Sequence, residues 1–497
     1  MNIRAIHIII YTLLLALLPA CELIHDDLPE TKSDGAPVYI RLTISTGGEM
    51  GTKANPTGGE EGDGREPGET FEDAVKDLYL FFYQVAEGVT DGVNADANTP
   101  IVAYKYFTIN NDYTQHGANI STAPVEIEGL SVGQTYHVLV VTNVGQDLPL
   151  EETGMTLGSL RDDLVKTAWT VSEGTTTTYS DFVMTNESDA SFTIENNTSP
   201  ANPTTVTVEV ERLAARVDYR VAESYVPTEN EGDKVEIMGA TLVNNYVSPT
   251  YFLKRLEKDS KILYLEDEPS TNTYYYVLDP NTNGTKDNGD YHIYTPDIPM
   301  EPTDGEKGTI TYWTNHVAWN HPSSFIKSKD NNNLEYGFLS YTHEHINTAV
   351  APTWKGTDGK VVTGIVFKAT YQHQGFIEGG TFYIYREKFY QTIEDIKKEY
   401  SDISLNENAT PAECWDLGIS KYVDGICYYT YWIKHANDGD NTKVSPMEYA
   451  IVRNNIYQLN VTSVAGPGGV VPGNNLIEIV VAVQQWTKAD DESVDLK

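Results

Sequence analysis

Cysteine is scarce: the 497-residue chain has three, Cys21, Cys414 and Cys427. So few cannot build a disulfide framework, and none stands in a CxxC pair, which argues against zinc and thiol redox chemistry. Cys414 and Cys427 could close one short disulfide loop or stay two buried thiols, and the sequence leaves both open. Positive charge is scarce too, with 34 Lys and Arg against 72 Asp and Glu and a formal net charge of −38. Nucleic-acid binding requires basic patches, so nucleic acid is not expected as a partner. Such acidity suits solubility outside a cell, and it is compatible with cation binding. Enzyme signatures are missing: there is no HExxH, no GxSxG elbow, no GxGxxG after a strand and no Walker loop. Nothing singles out a catalytic pair among the 72 carboxylates. The chain is read as a non-enzyme without a cofactor.

Long apolar runs are confined to the start. Arg4 precedes "IIIYTLLLALL" (Ile8–Leu18), which is too short to remain as a membrane span and suits a signal peptide. It ends in "LPAC", small residues before Cys21, the pattern of a bacterial lipoprotein signal. Residues 1–20 are expected to be removed and Cys21 to carry diacylglycerol. Pro19 departs from the usual pattern, and an ordinary cleaved signal with an incidental cysteine is the alternative.

The rest of the chain reads as β. Hydrophobic residues make up 40%, enough for sizeable cores, and the 33 Tyr against 13 Phe suit amphipathic strands of a secreted protein. In "VYIRLTIS", Val38, Ile40, Leu42 and Ile44 alternate with Tyr39, Arg41, Thr43 and Ser45, the period of a half-buried strand. A loop of more than twenty residues follows, rich in glycine and acid, and loops of that length are usually functional or disordered. Later strands include "KDLYLFFYQV", "VTVEVERLAARVDYRV", "GIVFKATYQ", "ICYYTYWIKHA" and "RNNIYQLNVTSVAG". Short helices are predicted in "GSLRDDLVKTAW" and "YQTIEDIKKEYSD". Many strands with few helices mean β-sandwich domains rather than βαβ units. The last run, Leu476–Val483, is apolar apart from Glu478, as in a strand buried on both faces, and it needs a partner sheet.

Three stretches could carry chemistry. His343 and His345 in "THEHIN" could face one metal from a strand, but no third ligand is evident, and a solvated strand end is the plainer reading. Asp279, Asn281, Asn283, Gly284 and Asp290 fall at positions 1, 3, 5, 6 and 12 of a calcium-loop pattern, making calcium the one candidate cofactor. Against it, position 12 lacks a glutamate, the flanks read as strands, and a polar hairpin tip gives the same letters. Trp313 and Trp319 in "YWTNHVAWNH" could form a sugar-stacking platform.

Taken together, "LPAC", "DFVMTN", "VEVERLAARVDYRV", "ICYYTYW", "YAIVRNNIYQLNVTSVAGPG" and "VAVQQWTKADDESVDL" resemble a known family. They are similar to the major fimbrial subunits of Bacteroidales, specifically the short (minor) fimbrillin type of the FimA-like type V pili. The resemblance spans the whole chain and is loose within each domain. It implies an all-β fold of two transthyretin-like Greek-key β-sandwich domains with a few short helices. The implied division is a signal peptide at 1–20, a lipidated propeptide at 21–53, an N-terminal sandwich at 54–215, a C-terminal sandwich at 216–475 and a donor segment at 476–497.

The resemblance also implies a mechanism. The precursor reaches the outer membrane on its lipid, and a protease cuts the loop after the first strand. Loss of that strand, with Val38, Ile40, Leu42 and Ile44, opens a groove. The C-terminal segment of another subunit, with Ile477, Ile479, Val481, Val483 and Trp486, fills it and builds a fibre. The implied cut is Lys53–Ala54, where a lysine replaces the family's usual arginine; Arg65–Glu66 in the same loop is the alternative. Implied partners are identical subunits, anchor and tip subunits, the protease, and a host or bacterial receptor for adhesion and biofilm formation. The implied location is a cell-surface fimbrium. The alternatives are a tip or anchor subunit, or a surface glycan-binding lipoprotein.

Overall fold

In the computed structural model the described residues are 37–46, 65–66, 68–85, 96–109, 112–116, 119–146, 154–162, 164–165, 168–174, 177–186, 190–245, 250–253, 256–258, 275–277, 317–330, 332–345, 362–435, 449–472 and 477–486. The first strands are β1 (Tyr39–Ser45), β2 (Arg65–Glu66), β3 (Asp77–Tyr83), β4 (Ile101–Thr108), β5 (Tyr113–His116), β6 (Asn119–Thr122), β7 (Val125–Glu126) and β8 (Thr135–Thr142). Next come β9 (Leu164–Val165), β10 (Thr170–Ser172), β11 (Thr178–Ser180), β12 (Met184–Asn186), β13 (Ala190–Thr193), β14 (Thr204–Arg212) and β15 (Ala214–Arg220). The chain continues through β16 (Lys234–Val243), β17 (Thr250–Tyr251), β18 (Leu256–Lys258), β19 (Tyr275–Val277), β20 (Lys327–Lys329), β21 (Glu335–His343) and β22 (Gly364–Gln372). It closes with β23 (Phe382–Tyr385), β24 (Lys388–Tyr390), β25 (Ser420–Tyr422), β26 (Ile426–Trp432), β27 (Asn455–Val464) and β28 (Ile477–Trp486).

The fold is all-β, as the alternation indicated, with few short helices. The expected helices form at Leu157–Asp162 and Ile393–Glu399, the second capped by the Thr392 side chain accepting from the Asp395 amide. The sequence reading missed Pro411–Trp415, a single turn that a Thr410–Glu413 capping box starts. Its apolar pattern is too short to show a helical period.

The largest sheet runs β4-β3-β8-β12-β14-β1-β6-β5, with β13 on β8 and β7 on β1. A second runs β2-β28-β27-β15-β21-β20, and a three-stranded sheet β16-β22-β26 packs against it. The chain passes from the first sheet to the second at Leu213, between β14 and β15. β14 records the passage: its first residues alternate buried and exposed, and its last three, Val210, Glu211 and Arg212, are all buried.

Three of the cores lie in and between these sheets. One holds Val38, Ile40, Leu42 and Ile44 with Leu80, Phe82, Val138, Val140, Val206 and Val208. Another fills the space between the second sheet and the three-stranded sheet, with Val217, Tyr219, Phe367, Tyr429, Tyr457 and Leu459. The third joins the two halves, bringing Phe81, Trp169 and Phe182 against Phe338, Tyr341 and Ile456. Tyr341 meets Phe182 edge-on, with ring centroids 4.8 Å apart.

Cys414 sits in the Pro411–Trp415 helix and Cys427 in β26; both are buried and free, so the disulfide alternative is set aside. Their thiols belong to different cores, one around Ile393 and Ile419 and the other around Phe367 and Tyr429.

Leu42→Ala removes a fully buried side chain from β1. Urea unfolding of the intact chain is expected to show a loss of about 2–5 kcal/mol, and an unchanged midpoint would contradict the central packing of β1.

Candidate functional site

β1 is an interior strand of its sheet. It runs parallel to β14, pairing Ile40 with Thr204 through Ser45 with Glu209. On its other side it runs antiparallel to β6 and β7. Val38, Ile40, Leu42 and Ile44 are each at most 1% exposed, while Arg41 on the opposite face is exposed. Side-chain hydroxyls complete the ladder: the Leu42 amide donates to Thr122 Oγ1 at 3.0 Å and the Tyr39 amide to Thr198 Oγ1 at 3.2 Å. Burying four such side chains supplies roughly 6–12 kcal/mol of gross apolar stabilisation, at ~1.5–3 each. Taking β1 away would leave an apolar trench between β14 and β6 with unpaired backbone on both walls.

At the end of β1 lies a buried charge cluster. Arg212 ends β14 and its side chain is 1% exposed. Its Nη2 donates to the Thr46 carbonyl at 3.2 Å and also pairs with the Asp73 carboxylate. Its Nε donates to the Glu72 carbonyl at 3.0 Å, and its Nη1 and backbone N each lie 3.3 Å from Asn454 Oδ1. Glu72 and Asp73 belong to a short helix, Thr70–Asp73, whose side chains turn inward. Four residues along, Arg216 holds Asp218 with two bonds of 2.8 Å and reaches Glu72 Oε1 at 3.4 Å. Tyr341 donates to the same Glu72 oxygen, and Ser328 donates to Asp218 at 2.6 Å. Arg216 and Asp218 can pair because residues two apart on a strand share a face.

A third buried arginine completes the junction. Arg453 Nε lies 3.1 Å from Glu344 Oε1, and its other nitrogens donate to the carbonyls of Phe252 and Tyr251 at 2.9 and 2.8 Å. Asn454 follows in a left-handed conformation, φ 56°, which asparagine tolerates better than most residues, and β27 begins after it.

Burial sets the protonation behaviour. Desolvation raises Asp73 to about 6, with Arg212 opposing it. Desolvation acts to lower Arg216, but the Asp218 and Glu72 carboxylates outweigh it and hold the guanidinium above its ordinary range. Gly68 leaves room for this pair, because a Cβ there would push on the Arg212 guanidinium and the Asp73 carboxylate.

The residues singled out in the sequence fall in different places. Ile477, Ile479, Val481, Val483 and Trp486 lie in β28, which pairs antiparallel with β27 along its length. The last strand therefore finds its partner sheet inside its own chain. Arg65 and Glu66 form β2 and pair in parallel with Gln485 and Trp486 of β28. Cys21, Lys53, Ala54, Trp313 and the calcium candidates Asp279, Asn281, Asn283 and Asp290 lie outside the described residues. Trp319 is half-buried against Tyr428, with ring centroids 5.5 Å apart.

His343 and His345 are buried rather than solvated, which corrects the plainer reading of that stretch. The His343 ring stacks on Trp169 at 4.6 Å, while His345 Nε2 is 3.2 Å from Thr363 Oγ1. Among the described residues no group of three or more potential ligands could hold a metal. Among the same residues, no helix is long and apolar enough to cross a membrane.

Residues 420–492 match the family model described as major fimbrial subunit protein type IV, fimbrillin, C-terminal. Over this stretch the chain is fimbrillin-like. The match bears out the resemblance to fimbrial subunits, and it takes in β25 to β28 with Arg453 and Asn454. No curated protein matches the chain. Among solved structures, one assigned to cell adhesion from Parabacteroides distasonis is 15% identical, with TM-score 0.41, covering 91% of this chain and all of its own. A fimbrilin from Porphyromonas gingivalis is 12% identical, with TM-score 0.36, covering 91% of this chain and 99% of its own. The tip fimbrial protein Mfa3 of the same organism is 11% identical, with TM-score 0.34, covering 91% of this chain and 100% of its own.

Sequence reasoning missed the whole charge cluster. The available signal was that Arg212, Arg216 and Asp218 break the strand alternation of residues 206–221, standing beside the apolar Leu213–Ala215 at the passage between the two sheets.

Burial lowers His345 to about 4, so it is neutral in the fold and must gain a proton on unfolding in acid. Its contribution is full above the ordinary histidine range and is lost as pH falls toward 4. His345→Asn is expected to flatten the stability loss between about pH 6.5 and 4 in denaturant titrations at several pH values. An unchanged slope would contradict the neutral, buried state.

Proposed function

We propose that this chain is a structural shaft subunit of a cell-surface fimbrium, matured by removal of its first strand and polymerised by strand exchange. The observation that carries the reading is β1 itself, an interior strand with four fully buried side chains, followed in the chain by Lys53 and then by Arg65 at the start of β2. The fimbrillin match at 420–492 supports the fimbrial role and the surface location. The precursor is carried to the outer membrane on a lipid at Cys21, and cutting at Lys53–Ala54 or Arg65–Glu66 severs the lipid and β1 together. The body then consists of an N-terminal acceptor domain (54–215), a C-terminal domain (216–475) and the donor segment from Leu476 onward. It acts without catalysis, with identical subunits, anchor and tip subunits and a surface receptor as partners, in adhesion and biofilm formation.

The energetics place a condition on this reading. A strand that contributes roughly 6–12 kcal/mol of burial stays in its groove after a nick. It leaves when another strand competes for the same backbone and pockets, as in β-strand addition. β28 suits the competitor's role because its odd positions, Ile477, Ile479, Val481 and Val483, repeat the β-branched and apolar period of β1.

Limited trypsin digestion of the loop is expected to give fibres visible by electron microscopy, and excess synthetic peptide spanning residues 37–46 is expected to block their growth. Monomers after complete cutting would overturn the reading, as would fibres that form from the uncut chain.

A further inference from the structure

We propose that Arg212 couples the two ends of the exchange: it clamps the Gln485 end of β28 while β1 is in place, and departure of β1 loosens that clamp. The inference rests on the reading above, in which β1 leaves and β28 is donated. Its basis is the convergence of three chain segments on one side chain.

Gln485 pairs on one side with Arg65 of β2 and on the other with Asn455 of β27. Both flanks lead directly to Arg212. Asn455 follows Asn454, whose Oδ1 faces Nη1 and the backbone N of Arg212 at 3.3 Å. β2 is followed by Gly68 and the Thr70–Asp73 helix, where Arg212 Nε holds the Glu72 carbonyl and Nη2 pairs with Asp73. The remaining contact of Nη2 is the Thr46 carbonyl, one residue beyond β1. One guanidinium thus joins the end of β1 to both neighbours of Gln485.

Departure of β1 removes the Thr46 carbonyl and uncovers the wall of β14, of which Arg212 is the last residue. Water then reaches a guanidinium that was 1% exposed. Water competes for every donor of the guanidinium, and the contacts to Asn454 are the longest of the set and the first to be exchanged for water. Asn454 loses the side-chain contacts to Arg212 and keeps its amide bond to the Ala214 carbonyl, and the start of β27 opposite Gln485 is held less firmly. Strands open from their ends, so fraying there is the step that lets β28 peel from β27. The subunit becomes an acceptor and a donor in one transition, and neither state accumulates in the precursor.

The test is hydrogen exchange by mass spectrometry on the full chain carrying Arg65→Gln, so that trypsin cuts after Lys53 and leaves β2 joined to the body, compared uncut and after nicking with β1 displaced in mild urea and the protein returned to dilute buffer. Amides of residues 484–486 are expected to exchange at least ~10-fold faster without β1, while those of β16 and β22 keep their rates. Equal rates at 484–486, or equal acceleration everywhere, would overturn the coupling. Asn454→Gly keeps the left-handed backbone and deletes the acceptor. It is expected to speed exchange at 484–486 in the uncut chain and to leave less than about a two-fold further gain on loss of β1. A variant that behaves like the parent in both states would also overturn it. The two readings fail separately: fibres with unchanged exchange sink the coupling alone, whereas β1-free protein that forms no fibres sinks the strand-exchange reading.

Discussion

Three arginines lie where water barely reaches, and each has to be neutralised by groups from distant parts of the chain. Removing an ion from water costs several kcal/mol even after relaxation, so Arg212, Arg216 and Arg453 can be buried only if their partners arrive together. Asp73 and Glu72 come from a turn near residue 70, Asp218 from β15, Glu344 from the end of β21, and backbone carbonyls from residues 46, 251 and 252. A half-built junction would strand a charge in an apolar setting. That requirement ties the first half of the chain to the second through Arg212 with Asn454 and through Glu72 with Arg216 and Tyr341, directional contacts that do not tolerate the sliding an aromatic core allows.

The sequence showed much of the strand content and little of the junction. Val38 to Ile44 declared its buried face through period-two alternation, because a strand with one wet face must alternate. Leu476–Val483 declared burial by its nearly uncharged run, and the structure answers with β27 as its partner. Periodicity says which face is buried but not against what. Glu72 and Asp73 follow a glycine-rich acidic loop and look like two more solvated carboxylates; only the approach of Arg212 and Arg216, about 140 residues later, gives them another meaning. His343 and His345 misled in the opposite sense: two apart on a strand they suggested an exposed pair, while Trp169 and Thr363 cover them.

β1 and β28 share a design that suits the proposed exchange. Each lies between neighbours in a sheet. They differ in how firmly the surroundings hold them. β1 has full partners on both sides over most of its length, β14 on one and β6 with β7 on the other. Among the described residues β28 has one full partner and, on its outer side, the two residues of β2. The asymmetry makes β28 the strand with less backbone pairing to give up, and it makes the occupant of the groove the better-held of the two.

The two buried thiols have a consequence of their own. Cys414 and Cys427 fill space in separate cores as small apolar side chains, and desolvation pushes the Cys427 thiol up to about 11, far from the thiolate that would react. The described sheets are therefore held by packing, backbone ladders and paired charge, with no sulfur cross-link among them. Cohesion of that kind is indifferent to the redox state of the surroundings. A subunit built this way keeps its shape in a reducing, oxygen-poor milieu where a disulfide-stapled surface protein would lose its staples.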